Sequence, residues 1–336
     1  MVTIKDVAKQ AGVHPSTVSR VIKNHKSIST ETKDRVNRAM RVLGYVPNYA
    51  AQTLATGQSF AIALVLPPII SEDRFSEPFF LHMISTLTLA AKKKGYTISI
   101  ATSLNLMDLQ EQVELMYSQK RVDGFILLFN EKNNPIKDFL DKKGVPTVVI
   151  GLSDQDKIGI FVDNDNYQMG YNAVDYLIGM GHKRILFVTD NNSSMVFQNR
   201  YNGYFKSCQN QLTEVFPAFL YRQNHSCDNL FLETLHSKSI TSLVVIGDRL
   251  SVRLIQLLSV NGYHIPQDIS MITFNNSDYA TLTKPHLTTF DINIAQLGQE
   301  AFDYLLKQII NPEKNTLKEY FVPFKLIERE SVFKIN

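Results

Sequence analysis

Short hydroxyl and basic side chains are concentrated in one segment near the amino terminus of this 336-residue chain, His14-Pro15-Ser16-Thr17-Val18-Ser19-Arg20-Val21-Ile22-Lys23. On a helix, which turns by about 100° per residue, its polar residues share one face. They are Ser16, Ser19, Arg20 and Lys23, with Thr17 on the flank. Hydroxyl groups and cations can hydrogen-bond to phosphates and to base edges in a DNA major groove. The segment therefore predicts a helix that reads DNA.

Two further helical patterns flank this segment and would hold it in place. The first has apolar residues at helical spacing and stops at Gly12: Ile4, Val7, Ala8 and Ala11. The third begins after Ser29, an expected N-cap, and stops at Gly44. Pro15 suits the first position of the middle helix, because the N–H at that position has no intrahelical partner. Three helices in this order are typical of a helix-turn-helix with a supporting helix.

Charge separates this interpretation from its main alternative, an ordinary three-helix bundle with a solvated polar face. Up to Ser59 the chain has nine Lys or Arg and three Asp or Glu, a net charge of +6. The whole chain carries +3, which leaves −3 for the remainder. A basic head on a mildly acidic body is the asymmetry expected when one end of a protein contacts nucleic acid.

Several motifs in the head resemble those of the LacI/GalR family of bacterial repressors. They are Thr3-Ile4-Lys5-Asp6-Val7-Ala8, Gly12-Val13, Thr17-Val18-Ser19-Arg20-Val21, Leu43-Gly44-Tyr45 and Pro47-Asn48. The resemblance implies a lambda-repressor-like helix-turn-helix domain over residues 1–46. It implies base contacts by Arg20, Ser16 and Thr17, and contacts mostly to phosphates by Ser19, Lys23, Ser29, Thr32 and Asn48. Thr3, Pro15, Gln52 and Leu54 complete the expected DNA-binding set.

Residues 47–58 form a linker with a weak helical pattern. Asn48 is a possible N-cap, Gly57 a terminator, and Leu54 shares a face with two alanines. Isolated helices shorter than about 12 residues are marginal in water, so this helix is expected to form conditionally. The resemblance implies a hinge helix that pairs with its copy over the minor groove, where Leu54 would wedge between base pairs. Alternatively, Leu54 packs under the core. Gln52 replaces an arginine common in the family.

From residue 59 onward, β-rich apolar runs alternate with helical patterns, which predicts parallel sheets joined by right-handed crossovers. The runs are 60–66, 97–101, 124–129, 147–150, 185–188, 243–246 and 269–274. Because about 270 residues exceed what one sheet and one core usually need, we expect two α/β lobes with a cleft between them.

The body also resembles the LacI/GalR family at many short motifs. These include Asp163-Asn164, Gly181-His182, Arg200 with Gly203, Pro266-Gln267-Asp268-Ile269-Ser270 and Leu287-Thr288-Thr289. The resemblance implies a periplasmic-binding-protein-like core, residues 59–336, made of two doubly wound lobes. One lobe would comprise about 60–161 and 291–321, and the other about 162–290 and 322–336. An effector would bind in the cleft, at the carboxyl ends of the strands.

Five residues fall where the family usually contacts its effector: Phe79, Phe80, Arg200, Asp248 and Asn275. The phenylalanines could stack on an apolar sugar or base face, although two adjacent ones are more often part of a core. Arg200 could grip hydroxyls or a carboxylate through its fork of donors, or belong to a surface or interlobe salt bridge. Asn275, with Asn276, stands where most of the family has Asp-Asp, and an amide can donate as well as accept.

Several function classes have no support in the sequence. Cys208 and Cys227 make no disulfide framework, the start lacks a signal peptide, and no run of 18 apolar residues occurs. We therefore expect a cytoplasmic protein with no membrane contact. No catalytic motif, metal-ligand spacing or cofactor fingerprint is found, so neither an enzyme nor a metal or cofactor site is expected. A transport solute-binding protein and a sugar enzyme with a DNA-binding head remain the rivals from other classes.

The sequence thus predicts a homodimeric transcriptional repressor that binds a pseudo-palindromic operator in double-stranded DNA and responds to a small sugar. Thr273-Phe274-Asn275-Asn276-Ser277 and Phe290-Asp291-Ile292-Asn293-Ile294 resemble the maltose-repressor branch of the family most closely. This resemblance favours maltose or another α-glucoside as an inducer. The alternative is a corepressor, either a ligand or a partner protein.

Overall fold

A computed structural model describes residues 2–22, 25, 27–45, 57–68, 77–129, 134–152, 159–311 and 318–335. Internal contacts divide the chain into two units, Met1–Ser59 and Phe60–Asn336. The predicted DNA-binding residues Lys23, Asn48, Gln52 and Leu54, and most of the predicted hinge helix, lie outside the described residues.

The head contains the three predicted helices, α1 (Ile4–Ala11), α2 (Pro15–Ile22) and α3 (Thr30–Leu43). Their buried side chains are small and apolar: Val7, Ala8, Ala11, Val18, Val21, Val36 and Ala39. The Ser29 side chain accepts a hydrogen bond from the Thr32 N–H, as expected of an N-cap. Gly12 and Gly44 end α1 and α3 with φ of 62° and 63°, a left-handed conformation that favours glycine. The predicted helix-turn-helix fold is confirmed.

The second unit has two six-stranded sheets. The first, in spatial order, consists of β11 (Lys318–Phe321), β5 (Ile160–Asp163), β4 (Thr147–Ile150), β3 (Gly124–Leu127), β1 (Ala61–Val65) and β2 (Thr97–Ala101). The second consists of β12 (Lys325–Ile327), β10 (Thr288–Asp291), β9 (Ser270–Phe274), β8 (Ser242–Val245), β6 (Ile185–Thr189) and β7 (Phe219–Leu220). The strand pairs are parallel except β10 with β12. The central strands are buried throughout, which explains their continuous apolar sequences.

Helices connect the strands of each sheet. The helices that belong to the first sheet are α4 (Pro78–Lys93), α5 (Leu106–Ser118), α6 (Pro135–Lys142) and α12 (Ile294–Ile310). With the second go α7 (Asn166–Gly179), α8 (Met195–Asn210), α9 (His225–Ser237), α10 (Asp248–Val260) and α11 (Tyr279–Leu282). None of the helices in the described ranges combines the length and apolar character needed to cross a bilayer.

The chain passes between the two sheets three times, and one side chain ties these crossings together. Asn164, just after β5, donates from Nδ2 to the carbonyl oxygens of Ile292 (3.1 Å) and Val322 (2.8 Å). Two predicted lobe boundaries fall inside strands: β5 continues two residues beyond position 161, and β10 one residue beyond position 290. The crossings therefore begin at the ends of these strands rather than within them.

Helices α7 and α8 pack with their backbones in direct contact. A Cβ atom on Gly170 would overlap the carbonyl oxygen of Arg200, and one on Gly203 would overlap that of Tyr167. Glycine is required at both positions because no side chain fits between the helices. This close approach fixes where α8 presents Arg200.

Candidate functional site

The polar face of α2 is accessible, as the sequence predicts. Ser16 and Arg20 are exposed, and Pro15, Thr17 and Ser19 are partly exposed. Beneath them, Val18 and Val21 are buried in the head's apolar core. Only the apolar face of α2 packs in the core of the head. Its outer face is therefore accessible to an extended ligand such as DNA.

His14 orients the Ser16 hydroxyl at the start of α2. The His14 Nδ1 atom accepts a hydrogen bond from the Ser16 N–H (3.3 Å) and lies 2.8 Å from Ser16 Oγ. Since Nδ1 already acts as an acceptor, the hydroxyl must donate to it, which leaves Ser16 Oγ as an acceptor toward solvent. This role of His14 was not predicted from the sequence, although a polar residue just before Pro15 is a signal for a helix cap.

Other predicted DNA contacts also take part in helix capping. The Thr3 hydroxyl donates to Asp6 Oδ2 (2.7 Å), and these bonds lower the pKa of Asp6 below its ordinary value. The Ser29 hydroxyl donates to Thr32 Oγ1 (3.0 Å). Thr3 and Ser29 are exposed. A phosphate that accepts a hydrogen bond from either hydroxyl must therefore share the hydroxyl hydrogen with this local bond.

In the second unit, Arg200 lies at the carboxyl ends of the strands. Its side chain is only 4% exposed, so a surface salt bridge is excluded. Its Nε donates to Asn166 Oδ1 (2.8 Å) and its Nη1 to the Ile246 carbonyl oxygen (2.8 Å), and its guanidinium lies 4.1 Å from the centre of the Phe274 ring. Within the described ranges, Nη2 has no hydrogen-bond partner, so donors remain for a hydroxyl or carboxylate.

Two buried carboxyl groups influence Arg200 electrostatically. Asp163 accepts hydrogen bonds from the Asn164 N–H (2.8 Å) and from Asn166 Nδ2 (2.8 Å). Asp248 accepts from the Ser277 N–H (2.6 Å). Burial raises the pKa of each to about 6 against these hydrogen bonds.

Burial also lowers the pKa of Arg200 to about 10, with the charges of Asp163 and Asp248 acting in the opposite direction, so the guanidinium is charged at neutral pH. Asp248 was predicted as a site residue from the sequence, whereas Asp163 and Asn166 were not. Asp163 stood in a recognised motif, which was the available signal.

The paired asparagines after β9 have different environments. Asn276 donates to Asp291 (3.0 Å) and accepts from Arg329 (2.6 Å), so its amide is occupied. The Asn275 side chain has no hydrogen-bond partner among the residues that the structure describes, and its backbone is left-handed, with φ of 92°. Its Nδ2 lies 3.6 Å from the place where Gly247 would carry a Cβ. Of the two amides, that of Asn275 is therefore the one available to a ligand.

Phe79 and Phe80 occupy the first turn of α4. Their rings meet edge to face with centroids 5.5 Å apart, and both are partly buried against the main apolar cluster. They thus combine core packing with remaining accessible surface. In the described part of the chain no group of three His, Cys, Asp or Glu side chains could hold a metal ion.

Two family models match this chain. The model for bacterial regulatory proteins of the lacI family matches residues 3–48, and the model for a periplasmic binding protein-like domain matches residues 174–332.

Similar proteins also include full-length matches. The chain is 33% identical to the HTH-type transcriptional regulator MalR of Staphylococcus xylosus, over 100% of this chain and 99% of that protein. The crystal structure of a probable maltose operon transcriptional repressor from Staphylococcus areus is 25% identical, with a TM-score of 0.73 over 82% of this chain and 99% of that one. The Lac repressor dimer bound to operator shares the fold, with a TM-score of 0.80 at 22% identity over 99% of both chains.

Proposed function

Because the chain belongs to the LacI family of bacterial regulatory proteins and is a DNA-binding transcriptional repressor of that family, we propose that maltose or a related α-glucoside controls its affinity for the operator. The sugar binds between the two lobes and acts as an inducer. The observation that carries this proposal is the cluster around Arg200, a charged fork of donors that interacts with Asp163 and Asp248 and lies over Phe274, the residue before Asn275.

Each head reads one half of a pseudo-palindromic operator. Arg20, Ser16 and Thr17 contact bases, and Thr3, Pro15, Ser19, Lys23, Ser29, Thr32 and Asn48 complete the contacts of the head. The exposure of Ser16 and Arg20 above a closed apolar core supports this assignment. Ser16 and Pro15 are short, so Arg20 carries most of the major-groove readout. The hinge helix adds the minor-groove contacts of Gln52 and the Leu54 wedge.

The cleft chemistry suits a neutral, hydroxyl-rich ligand. Sugar hydroxyls donate and accept, and the cleft offers both a donor fork at Arg200 and an amide at Asn275. Asp248 contributes an acceptor, while Phe79 and Phe80 provide aromatic surface for an apolar sugar face. The neighbouring protein described as a maltose operon repressor supports maltose as the first sugar to test.

The signal passes from the cleft to the DNA through the orientation of the two lobes. Asn164 bonds to the other two crossings, so the lobes can rotate about one compact hinge. A sugar that binds one lobe arrangement more tightly shifts the population toward it. In that arrangement the paired hinge helices separate and unfold, which weakens operator binding by the same coupling free energy.

A second copy of the chain completes the DNA-binding unit. The first lobe has an apolar face formed by α4, the edge strand β2 and α5, with exposed Leu81, Leu89, Ile100 and Met107. Because α4 and α5 both contact β2, these exposed apolar residues lie on neighbouring elements, an arrangement typical of interfaces. We assign this face to a homodimer, which sedimentation velocity of the full chain at several concentrations will test.

The central experiment measures operator binding with and without sugar. An operator is first selected from random double-stranded DNA with the full-length protein. Its affinity is then measured by electrophoretic mobility with and without maltose, and with the β-linked disaccharide cellobiose as a control sugar. Weaker binding with maltose alone is the expected result. Tighter binding would instead assign the sugar as a corepressor, and consumption of the sugar would indicate the enzyme alternative.

The base-reading role of Arg20 is tested with the same operator. Arg20→Ala should reduce discrimination between operator and random DNA by about 1–3 kcal/mol. Weak, salt-sensitive binding to any DNA should remain, because the phosphate contacts are retained. An unchanged preference for the operator would reject the assignment.

A further inference from the structure

Arg249, in the first turn of α10, lies between two carboxylates that belong to different lobes. Its Nε donates to Glu77 Oε2 (3.1 Å), and its Nη2 donates to Asp190 Oδ2 (2.9 Å). Glu77 comes from the first lobe, and Asp190 from the second, as does Arg249 itself. One guanidinium therefore bonds within its own lobe and across to the other.

These three residues belong to segments within the two lobes and not to the crossings between them. Glu77 directly precedes α4, the helix that carries Phe79 and Phe80, and Asp190 directly follows β6. Arg249 lies a few residues after β8, whereas Asn164 belongs to a crossing and bonds to the other two. The Arg249–Glu77 bond thus links the two lobes at a second place, separate from the hinge.

The bond is unusual among the ion pairs of the described ranges. The others link residues of the same lobe: Lys137–Asp141, Arg184–Glu214, Arg249–Asp190, Arg253–Asp228, His264–Asp268 and His286–Glu330. Among the ion pairs between described residues, Arg249–Glu77 is the one that joins the two lobes. Its side chains are 27% and 26% exposed, so the bond is partly desolvated and still accessible to salt.

A neighbouring arginine supports the Arg249–Asp190 bond. Arg222 Nη1 donates to the backbone oxygen of Asp190 (3.1 Å), which secures the loop that presents that carboxylate. The Arg249–Asp190 bond joins two residues of the second lobe, so it does not depend on the separation of the lobes. An arginine guanidinium can donate hydrogen bonds in two directions at once. Once Asp190 orders the Arg249 side chain, bonding to Glu77 costs little further side-chain entropy.

We propose that Arg249 is a positioning residue for the effector cleft: through Glu77 it ties the start of α4 to the second lobe and favours the closed arrangement of the lobes. Opening the cleft separates Arg249 from Glu77 and leaves Arg249–Asp190 intact. Any ligand that needs both lobes then binds more tightly, because a larger fraction of the protein is already closed. This last step rests on the proposed sugar-binding function, whereas the effect on lobe separation does not.

The first test measures lobe separation in the full chain without added sugar. Spin labels are placed at the exposed positions Lys142 and Asn229 in a Cys227→Ser background, with excess unlabelled protein to suppress distances between protomers. Glu77→Gln is compared with Asp190→Asn, which removes the same charge from the same guanidinium but within one lobe. We expect the distance between the labels to be longer in Glu77→Gln than in the wild type and in Asp190→Asn. Added salt should lengthen the distance in the wild type and in Asp190→Asn, and should leave it unchanged in Glu77→Gln. Unchanged distances in Glu77→Gln, or equal lengthening in both variants, would overturn the proposal.

The second test measures maltose affinity by calorimetry on the same proteins. Partly exposed ion pairs contribute modestly, so Glu77→Gln should weaken binding by about two- to fivefold while Asp190→Asn leaves it near the wild-type value. If wild-type protein does not bind maltose, the sugar assignment fails and the distance measurement still decides the role of Arg249. If maltose binds equally to Glu77→Gln and wild type, the link between closure and affinity is wrong.

Discussion

In the head, the side chains predicted to act lie outside a small apolar core, whereas in the cleft they are part of the packing itself. Arg20 is exposed on α2, and in the described part of residues 1–46 the buried residues are all apolar. Arg200 is 4% exposed and bonded to Asn166 and to a backbone carbonyl. Function and stability should therefore separate in the head and remain coupled in the cleft.

The largest expected effect compares glycines in the two regions. Gly203→Ala should destabilise the second unit by at least about 4 kcal/mol, because its Cβ would overlap the backbone of α7. Gly44→Ala meets open space and changes only a left-handed residue, at a cost of roughly 1–2 kcal/mol. Urea unfolding of both variants tests the difference. Similar losses would mean that α7 and α8 can separate easily.

The next comparison uses one substitution at two arginines. Arg200→Met should reduce the free energy of unfolding by about 3–5 kcal/mol, because the buried Asp163 loses the favourable interaction with the guanidinium charge. Arg20→Met should change it by less than about 0.5 kcal/mol, since Arg20 is exposed on α2. Thermal unfolding provides the measurement. A large loss in Arg20→Met would contradict the separation of function from stability in the head.

Acidic groups should give the two regions opposite pH dependence. The folded second unit raises the pKa of Asp163 and of Asp248 from 3.8 to about 6, so it binds more protons than the unfolded chain in that interval. Its free energy of unfolding should fall as the pH rises from about 4 to about 6 and then level off. In the head the pKa of Asp6 is lowered, so its contribution is present above pH 3.8 and is lost at lower pH.

Unfolding experiments on the intact chain between pH 4 and 7 can test these signs. Asp163→Asn should reduce the downward slope, because its amide does not titrate. Asp6→Asn, which removes a group that is ionised throughout that interval, should leave the slope unchanged. An identical slope in Asp163→Asn and wild type would show that this carboxyl does not titrate in the expected interval.

The smallest expected effect concerns His14, which contacts the predicted base-reading residue Ser16. It tests whether any side chain in the head contributes to both folding and DNA recognition. His14→Ala frees the Ser16 hydroxyl and removes an acceptor from the start of α2, at a cost of less than about 1 kcal/mol in stability. Ser16 can then donate as well as accept, so preference at its base should relax. His25→Ala is the matched control, since His25 makes the same contacts with Ser27. Binding to single-base operator variants should change for His14→Ala alone.

Much of the head could be predicted because its determinants are local. Gly12, Ser29 and Gly44 mark helix ends through bonds made within a few residues, and the spacing of Val18 and Val21 indicates which face is buried. The capping role of His14 was missed because histidine is an uncommon cap. The alternation of strands and helices in the second unit also follows from local patterns.

The cleft was less predictable because its contacts join distant parts of the chain. The resemblance pointed to Arg200 and Asp248, but nothing near them in sequence indicated Asn166 or Ser277 as their partners. The interlobe bond of Arg249 with Glu77 connects residues 172 positions apart. Such pairs leave no periodic signal, since each residue alone resembles an ordinary surface charge.

The sequence by itself determined the three helices of the head, the alternation of strands and helices in the body and the polar face of α2, because helix periodicity, capping and charge act over short distances. Tertiary structure alone decided which of the two asparagines after β9 is available, since Arg329 and Asp291 occupy Asn276 and leave Asn275. It also decided that Asp163 and Asp248 resist ionisation, because burial is a property of the packed lobes. Availability and desolvation depend on what surrounds a side chain, and only the fold brings those surroundings together.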